Sequence, residues 1–268
     1  MARRGDGGGR AGPVMASGHR ARDILDALAV AHGPQPLVRF HAAVLAAQME
    51  IEAMARPPSL HHASARGRLA HGVPLLSERF VEAVRSVPQF RQLAGRICLL
   101  LAGCRPDLGT AVSAGLDAAD EAVRACVLTH TGRAFLRPLG YALAPLVEED
   151  HWRLAECPVC GGVPDLAALG EHGDRHLLCG RCDTTWCAPR FGCPFCRDDD
   201  PRDMLYHPVG DGPYRLYVCG RCRRYLKTID LRQRPGACLP VERILTTGLD
   251  AAALAAGVGT ESGARWPA

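Results

Sequence analysis

Residues 175–196 read RHLLCGRCDTTWCAPRFGCPFC and contain two Cys-x-x-Cys pairs. A third pair, CPVC, precedes this stretch at 157–160, and a fourth pair, CGRC, follows it at 219–222. Eight of the thirteen cysteines of the chain therefore lie in four such pairs. In a reducing compartment, clustered thiols of this kind are more often metal ligands than members of a disulfide framework.

The spacing between the pairs predicts how they group. In chain order the gaps between them are eighteen, ten and twenty-two residues. Gaps of about 15 to 20 residues or slightly more suit a four-cysteine site made from two knuckles, so the first pair should join the second and the third should join the fourth. The flanks agree, because RHLLCGRC at 175–182 is repeated as YRLYVCGRC at 214–222. We interpret this repeat as an internal duplication.

Each repeat is too small to fold without help. A ribbon of about forty residues with few large side chains cannot bury enough apolar surface, whereas a structural tetrathiolate ion contributes on the order of 10 kcal/mol. We therefore expect short strands at 176–178 and 214–218 to lead into the second knuckle of each repeat, and we expect this half to unfold without metal. Four thiolates suit zinc and a single iron equally, although Gly161 in CPVCGG has the form of a rubredoxin knuckle and favours iron in the first site.

The part of the chain before the cysteines has a helical pattern. Apolar residues recur at helical spacing between about residues 21 and 150. The clearest sets are Leu37, Phe40, Val44, Ala47, Ile51 and Met54; Phe80, Val84 and Val87; Val112, Leu116, Ala119 and Val123; and Leu136, Leu139, Leu143 and Leu146. We predict five to seven helices, with connections at 57–74 and 103–109 and a break at Thr131-Gly132 before the last helix.

Together these patterns predict a multidomain chain, in which an all-helical N-terminal domain precedes two tandem small modules of rubredoxin-like or zinc-ribbon type. The predicted boundaries are a disordered tail at 1–20, the helical domain at 21–150, the first four-cysteine module at 151–190, the second at 191–235, and a short C-terminal helix with a tail at 236–268. The linker between the two halves is expected at 148–150.

Composition indicates a globular chain outside the membrane. The chain has 268 residues, of which 47% are apolar, so it can bury one large core or two modest ones. No run approaches the roughly 18 apolar residues that span a bilayer, so we expect no stable membrane insertion. The first residues contain arginines without a following apolar segment, which predicts a cytoplasmic protein.

The five cysteines outside the pairs are predicted to have ordinary roles. Cys98 and Cys126 lie beside apolar neighbours and should be core residues, while Cys104, Cys187 and Cys238 are predicted to be surface thiols. Cys187 follows Cys182 by five residues, so a competing role as a metal ligand stays open.

Catalytic chemistry has little support in the sequence. A thioredoxin-like redox pair is expected to open a helix in a βαβ unit, and no such pattern surrounds the four pairs. The histidines His61, His62 and His71 are expected to be exposed in a loop. We find no nucleophile–base pair, phosphate loop or cofactor motif, and we predict that the chain is not an enzyme.

Three segments of the cysteine-rich half resemble the FdhE family of formate dehydrogenase accessory proteins. They are WRLAECPVCGGVPDLA at 152–167, RHLLCGRCDTTWCAPRFGCPFC at 175–196 and YRLYVCGRCRRYLKTIDLR at 214–232. The resemblance extends over roughly residues 20 to 258 and includes Trp186, Arg190 and Asp230 as well as the knuckles.

The resemblance implies a function in protein maturation. It implies a cytoplasmic accessory protein, or chaperone, that binds the immature catalytic subunit of formate dehydrogenase, and it implies two metal ions per chain, either iron of the rubredoxin type or zinc. By this resemblance the first site consists of Cys157, Cys160, Cys179 and Cys182, and the second of Cys193, Cys196, Cys219 and Cys222. Whether the chain forms a homodimer stays open.

Two other classes of function compete with this interpretation. Zinc ribbons often bind nucleic acid, and the net charge is +4, but residues 151–240 have thirteen basic residues against eleven acidic ones. Because each divalent ion held by four thiolates adds a charge of −2, the loaded half is slightly acidic, and we predict no nucleic-acid partner. The basic cluster Arg221, Arg223, Arg224 and Lys227 is interpreted as a solvated face. A rubredoxin-like electron-transfer protein is the second alternative.

Overall fold

Helices form most of the N-terminal part of the described chain. The computed structural model describes residues 19–56, 58–105, 119–147, 152 and 154–258. The helices before the sheet are α1 (Ala21–Ala29), α2 (Gln35–Glu52), α3 (His62–Ala70), α4 (Glu78–Ala83), α5 (Pro88–Cys104) and α6 (Glu121–Leu143). Helix α2 buries Phe40, Val44 and Ala47, which are three and four residues apart and pack against α5 and α6. The predicted helical character of this part is confirmed.

Two predicted breaks are wrong. Helix α3 lies within the predicted connection 57–74, and it places His61 and His71 at its two ends, where all three histidines of this segment are exposed. Helix α6 runs through Thr131-Gly132 without interruption. The Thr131 hydroxyl donates to the Val127 carbonyl, so this residue is accommodated inside the helix.

Several predictions fall outside the described residues. They concern the tail before residue 19, the apolar set around 112–116, the linker at 148–150 and the end of the chain after 258. The predicted domain boundaries stay predictions.

The cysteine-rich part forms one six-stranded sheet. Its strands are β1 (Pro164–Leu169), β2 (Arg175–Cys179), β3 (Thr185–Ala188), β4 (Met204–Pro208), β5 (Tyr214–Cys219) and β6 (Tyr225–Asp230). The order across the sheet is β3-β2-β1-β6-β5-β4. Each repeat is an antiparallel meander, and β1 joins the two meanders by pairing with β6 in parallel.

The register of the sheet shows the duplication directly. Pro164 pairs with Cys179 in the first meander and Met204 pairs with Cys219 in the second, a constant offset of forty residues. The next pairs, Leu178 with Thr185 and Val218 with Tyr225, keep the same offset. The two repeats lie side by side in one sheet. The first strand of the first repeat, β1, is next to the last strand of the second, β6, which leaves β3 and β4 at the two edges.

The C-terminal segment packs back onto both halves. The single short helix predicted here is observed as two, α7 (Leu239–Leu245) and α8 (Thr247–Ala255). Helix α7 contacts α1, α2 and β1, and α8 contacts β6. Among the described residues, no helix combines the length and the hydropathy needed to cross a membrane.

Candidate metal centres

The structure brings the first four predicted ligands together. The Sγ atoms of Cys157 and Cys182 are 3.5 Å apart, as are those of Cys160 and Cys179, and all four Sγ atoms lie within 4.8 Å of one another. All four residues are buried. We call this group the inner cluster.

The second predicted set is gathered in the same way. The Sγ distances are 3.6 Å between Cys193 and Cys222 and 3.7 Å between Cys196 and Cys219. Here Cys193 and Cys219 are buried, whereas Cys196 and Cys222 are only half-buried. We call this group the outer cluster. Sequential grouping of the four pairs is therefore confirmed by the geometry.

All four knuckles have the same backbone. The residue after the second cysteine of each pair has a left-handed conformation, with φ of +69° at Gly161, +57° at Asp183, +59° at Arg197 and +57° at Arg223. In each knuckle the first cysteine donates its backbone N–H to the carbonyl five residues later, over 2.7 to 2.9 Å. Three of the four positions carry a side chain despite its cost in this region, so Gly161 does not distinguish the first knuckle from the others.

The donor sets fit a tetrahedral ion of the zinc or iron type. A metal–sulfur distance of about 2.3 Å in a tetrahedron places the sulfurs about 3.8 Å apart, close to the observed separations, and none of the eight cysteines forms a disulfide. Backbone N–H groups also point at sulfur: that of Val159 lies 3.4 Å from the Cys157 Sγ, and that of Arg181 lies 3.3 Å from the Cys179 Sγ. Each cluster could hold one ion.

Protonation also favours a cation in the inner cluster. Burial, together with hydrogen bonds among the thiols, raises the pKa of Cys157 and Cys182. Burial opposes ionisation of Cys179 as well, but hydrogen bonds from the neighbouring thiols outweigh it and lower the pKa of Cys179. Four buried sulfurs cannot all ionise beside one another unless a positive charge compensates them.

The inner cluster lies in the main hydrophobic core. Leu136, Leu139 and Leu143 of α6 belong to the same buried cluster as these cysteines, and so does Trp186. At Gly140, a Cβ atom would collide with the Cys182 carbonyl, so a glycine lets α6 approach the knuckle. The N–H of Leu75 also donates to the Pro158 carbonyl over 2.8 Å. The helical part is therefore built directly onto both knuckles of the inner cluster.

A buried charge network joins the inner cluster to α6 and α7. Asp183, which follows Cys182, is fully buried. Its carboxylate accepts hydrogen bonds from Arg137 of α6 at 2.7 Å and from Arg243 of α7 at 2.5 Å. Burial alone would raise the pKa of Asp183, but Arg243 and Arg137 hold it well below its usual range. The knuckle residue is thus a charged link between α6 and α7, which its position in the sequence does not reveal.

The basic cluster near the last knuckle is a solvated face only in part. Lys227 is 2% exposed and donates to Asp250 of α8 over 2.7 Å. The guanidinium of Arg224 lies 3.9 Å from the centre of the Phe195 ring, and Arg223 donates to the Gly257 carbonyl over 3.1 Å. Arg221 approaches Asp198 at 3.6 Å. The prediction of a solvated face fits Arg221 and Arg223, which are exposed, and is wrong for Lys227, which is buried.

The remaining cysteines divide as follows. Cys98 is buried and Cys126 half-buried, as expected for core thiols, and Cys104 is exposed. Cys187 and Cys238 are half-buried rather than fully exposed, and among the described residues Cys187 belongs to neither four-cysteine group.

The chain is similar in sequence to proteins named FdhE homolog. It is 31% identical to the one from Aquifex aeolicus over 124 residues, which is 44% of this chain and 44% of that protein. It is 27% identical to the one from Shewanella baltica over 124 residues, which is 43% of this chain and 41% of that protein. Each match thus spans less than half the length of the curated relative. No protein-family model matches the chain.

The fold is similar to that of a crystal structure of the FdhE protein from Pseudomonas aeruginosa. The TM-score is 0.59, the sequence identity is 20%, and the superposition covers 91% of this chain and 92% of that chain. This likeness confirms the predicted fold class, helices followed by a sheet region with two four-cysteine clusters. Sequence and fold together confirm that this chain is similar to the FdhE family, as its motifs predict.

Proposed function

We propose that this chain is an accessory protein that binds the immature catalytic subunit of a formate dehydrogenase during its maturation. The observation that carries the proposal is the likeness to an FdhE structure over nine-tenths of the chain, in a protein that also gathers both predicted sets of thiols. On this proposal the protein acts in the cytoplasm and is not an enzyme. Its function depends on holding a client.

In this proposal the eight paired cysteines bind two metal ions, and the ions have a structural purpose. The ion supplies four bonds to thiolates at the centre of each repeat, while the chain supplies the turns that aim them. The inner ion fixes the knuckle on which α6 and α7 meet through Asp183, so it would stabilise the whole scaffold. Iron and zinc fit this purpose equally.

Nucleic-acid binding has less support. Three of the four basic residues around the last knuckle contact other residues of the chain closely, and the fourth approaches Asp198. A phosphate-binding surface requires cations that are available to solvent. Lys227 is buried and Arg224 half-buried, so the exposed Arg221 and Arg223 alone offer a small cationic surface.

The test uses the organism that encodes the protein. Deletion of the gene should abolish formate dehydrogenase activity, and the wild-type gene should restore it. Complementation with Cys219→Ser should fail, whereas Cys98→Ser, a buried thiol outside the clusters, should restore activity. Tagged wild-type protein should capture the catalytic subunit after nuclease treatment. Normal activity in the deletion strain, or recovery of only nucleic acid, would contradict the proposal.

A further inference from the structure

A thiol, an imidazole and a carboxylate lie close together at one end of β2 and β3, outside both clusters. Cys187 on β3 and His176 on β2 are cross-strand neighbours, and the Cys187 Sγ lies 3.6 Å from Nδ1 and 4.0 Å from Nε2 of His176. The other ring nitrogen of His176, Nε2, pairs with the carboxylate of Asp174. A nucleophile beside a base that is oriented by a third group is the arrangement that activates a weak nucleophile.

The accessibility of the three groups suits such chemistry. His176 is 9% exposed, whereas the Asp174 side chain is 45% exposed and Cys187 is half-buried. Burial raises the pKa of Asp174, but the hydrogen bonds that its carboxylate accepts, together with the neighbouring histidines, outweigh burial and lower that pKa. The charged carboxylate orients the imidazole, and a histidine beside a thiol favours the thiolate.

The duplication shows that the scaffold does not require this pair. At the offset of forty residues, the counterparts of His176 and Cys187 are Leu216 and Lys227, which are paired in the same register of the second repeat. The same strands therefore form the same sheet without a thiol or an imidazole at these positions. A purely structural need does not account for the pair.

An exposed arginine lies beside the turn that carries Asp174. Arg190 is exposed, and its guanidinium packs over Gly173, where a Cβ atom would lie 2.5 Å from Nη1. Gly173 has φ of +77°, and it opens the turn that carries Asp174. His172 interacts with Asp174 from the same turn. Strand β1 places only Ala168 opposite His176. In the described part of the chain, the charged or titratable groups around the pair include Asp174, Glu171 and His172 of the turn, and Arg190.

We propose that Cys187 is a nucleophilic thiol that undergoes exchange with small disulfides, with His176 as its base and Asp174 as a positioning residue. The Cys187 thiolate attacks one sulfur of the disulfide, whose S–S bond breaks as a new S–S bond to Cys187 forms. The other half leaves as a thiolate and takes the proton that His176 received from Cys187. The disulfide is reduced by this step, and Cys187 becomes half of a mixed disulfide.

The test measures exchange on the full-length, metal-loaded protein with glutathione disulfide as the probe. The reaction is quenched with acid, and mixed disulfides at Cys187 and at Cys104, an exposed thiol on α5, are quantified by peptide mass spectrometry. At pH 7, Cys187 should react at least about tenfold faster than Cys104. The rate of an ordinary thiol falls about tenfold per pH unit below about 8.5, whereas the rate at Cys187 should stay nearly constant to about pH 6.

Substitutions at His176 and Asp174 test the role proposed for each residue. His176→Gln should remove the advantage of Cys187 over Cys104 and restore an ordinary pH profile. Asp174→Asn should shift the profile of Cys187 towards higher pH with a smaller loss of rate, a change that simple loosening of the turn would not cause. Retention of both metal ions verifies the fold of each variant. Equal rates at Cys187 and Cys104 in the wild type would overturn the proposal without any variant, and so would a His176→Gln variant that folds and reacts like the wild type.

Discussion

The inner and outer clusters have the same knuckles but different surroundings. The inner cluster is fully buried and lies in the core shared with α6 and Trp186. In the outer cluster, Cys196 and Cys222 are half-buried, and the nearby strand β4 forms an edge of the sheet with four of its five residues exposed. Duplication thus produced two sites of one geometry, of which one became the centre of the fold and the other stayed near its surface.

The largest expected difference between the clusters concerns the loss of one ligand. A structural ion contributes on the order of 10 kcal/mol, whereas a domain is stable by only about 5 to 15 kcal/mol. Cys179→Ser should therefore disrupt the packing of α6 against the sheet. Cys219→Ser should unfold only the outer strands β4 and β5. Hydrogen exchange resolved along the chain measures this difference.

Cys98→Ser is the matched control for both variants, since Cys98 is buried but belongs to neither cluster. It should lower stability only locally and leave exchange in the sheet unchanged. Equal protection of α6 in the Cys179→Ser and Cys219→Ser variants would contradict the inner cluster's larger role.

The second difference concerns the residue after the second cysteine. Asp183→Asn removes a buried charge between Arg137 and Arg243, and breaking such a pair costs about 3 to 5 kcal/mol. Its counterpart at the offset of forty is Arg223, whose hydrogen bond is exposed, so Arg223→Gln should cost less than about 1 kcal/mol. Urea denaturation of both variants measures the free energy of unfolding. A similar loss in the two variants would show that the charge network is not important.

A third prediction concerns the loss of stability in acid. His41 of α2 is 8% exposed, and burial, aided by Arg133 and Arg243, lowers the pKa of His41 to about 3. The unfolded chain binds a proton at this residue below about pH 6.5 while the folded chain does not, so stability falls as the pH drops from 6.5 towards 3. Between pH 6.5 and 5 this residue should cost about 2 kcal/mol.

The measurement is the free energy of unfolding at both pH values, for the wild type and for His41→Gln. The variant should lose about 2 kcal/mol less than the wild type over this interval. An identical loss in both proteins would mean that other groups, the metal ligands among them, control acid unfolding.

The smallest expected difference between the clusters is in the rate at which each one releases its ion. A chelator reaches the half-buried Cys196 and Cys222 more easily than the buried inner sulfurs, so the outer ion should leave at least about tenfold faster, equivalent to about 1.4 kcal/mol in the barrier. Metal release followed with a colorimetric chelator should then have two phases. In the Cys219→Ser variant the fast phase should disappear. A single phase in the wild type would indicate that the sites are equally accessible.

Sequence spacing predicted the grouping of the four pairs because knuckles are local structures, and a metal site tolerates only certain gaps between them. The sequence also predicted the duplication. The strand register confirms it, because equivalent pairs in the two repeats differ by a constant forty residues. The parallel pairing of β1 with β6 was not predicted, since no local pattern specifies which strand of one repeat joins the other. The break expected at Thr131-Gly132 was wrong because tertiary packing of α6 overrides weak helix propensity there.

The sequence also did not predict the charge network around Asp183 or the contact between Cys187 and His176. Arg137 and Asp183 are 46 residues apart, and only packing brings Arg243 to the same carboxylate. Cys187 and His176 lie 3.6 Å apart, a contact that the sequence did not predict. Their separation of eleven residues has no meaning until the register of β2 and β3 is known.

The most direct test of the account is the metal content of anaerobically purified protein, determined by elemental analysis for the wild type and for Cys219→Ser, with an absorption spectrum alongside. The account predicts two ions per chain in the wild type and one in the variant. Charge-transfer bands in air would identify iron, and a colourless protein with zinc would make both sites structural. Wild-type protein without bound metal, or a variant that still holds two ions, would contradict the claim that each cluster binds its own ion.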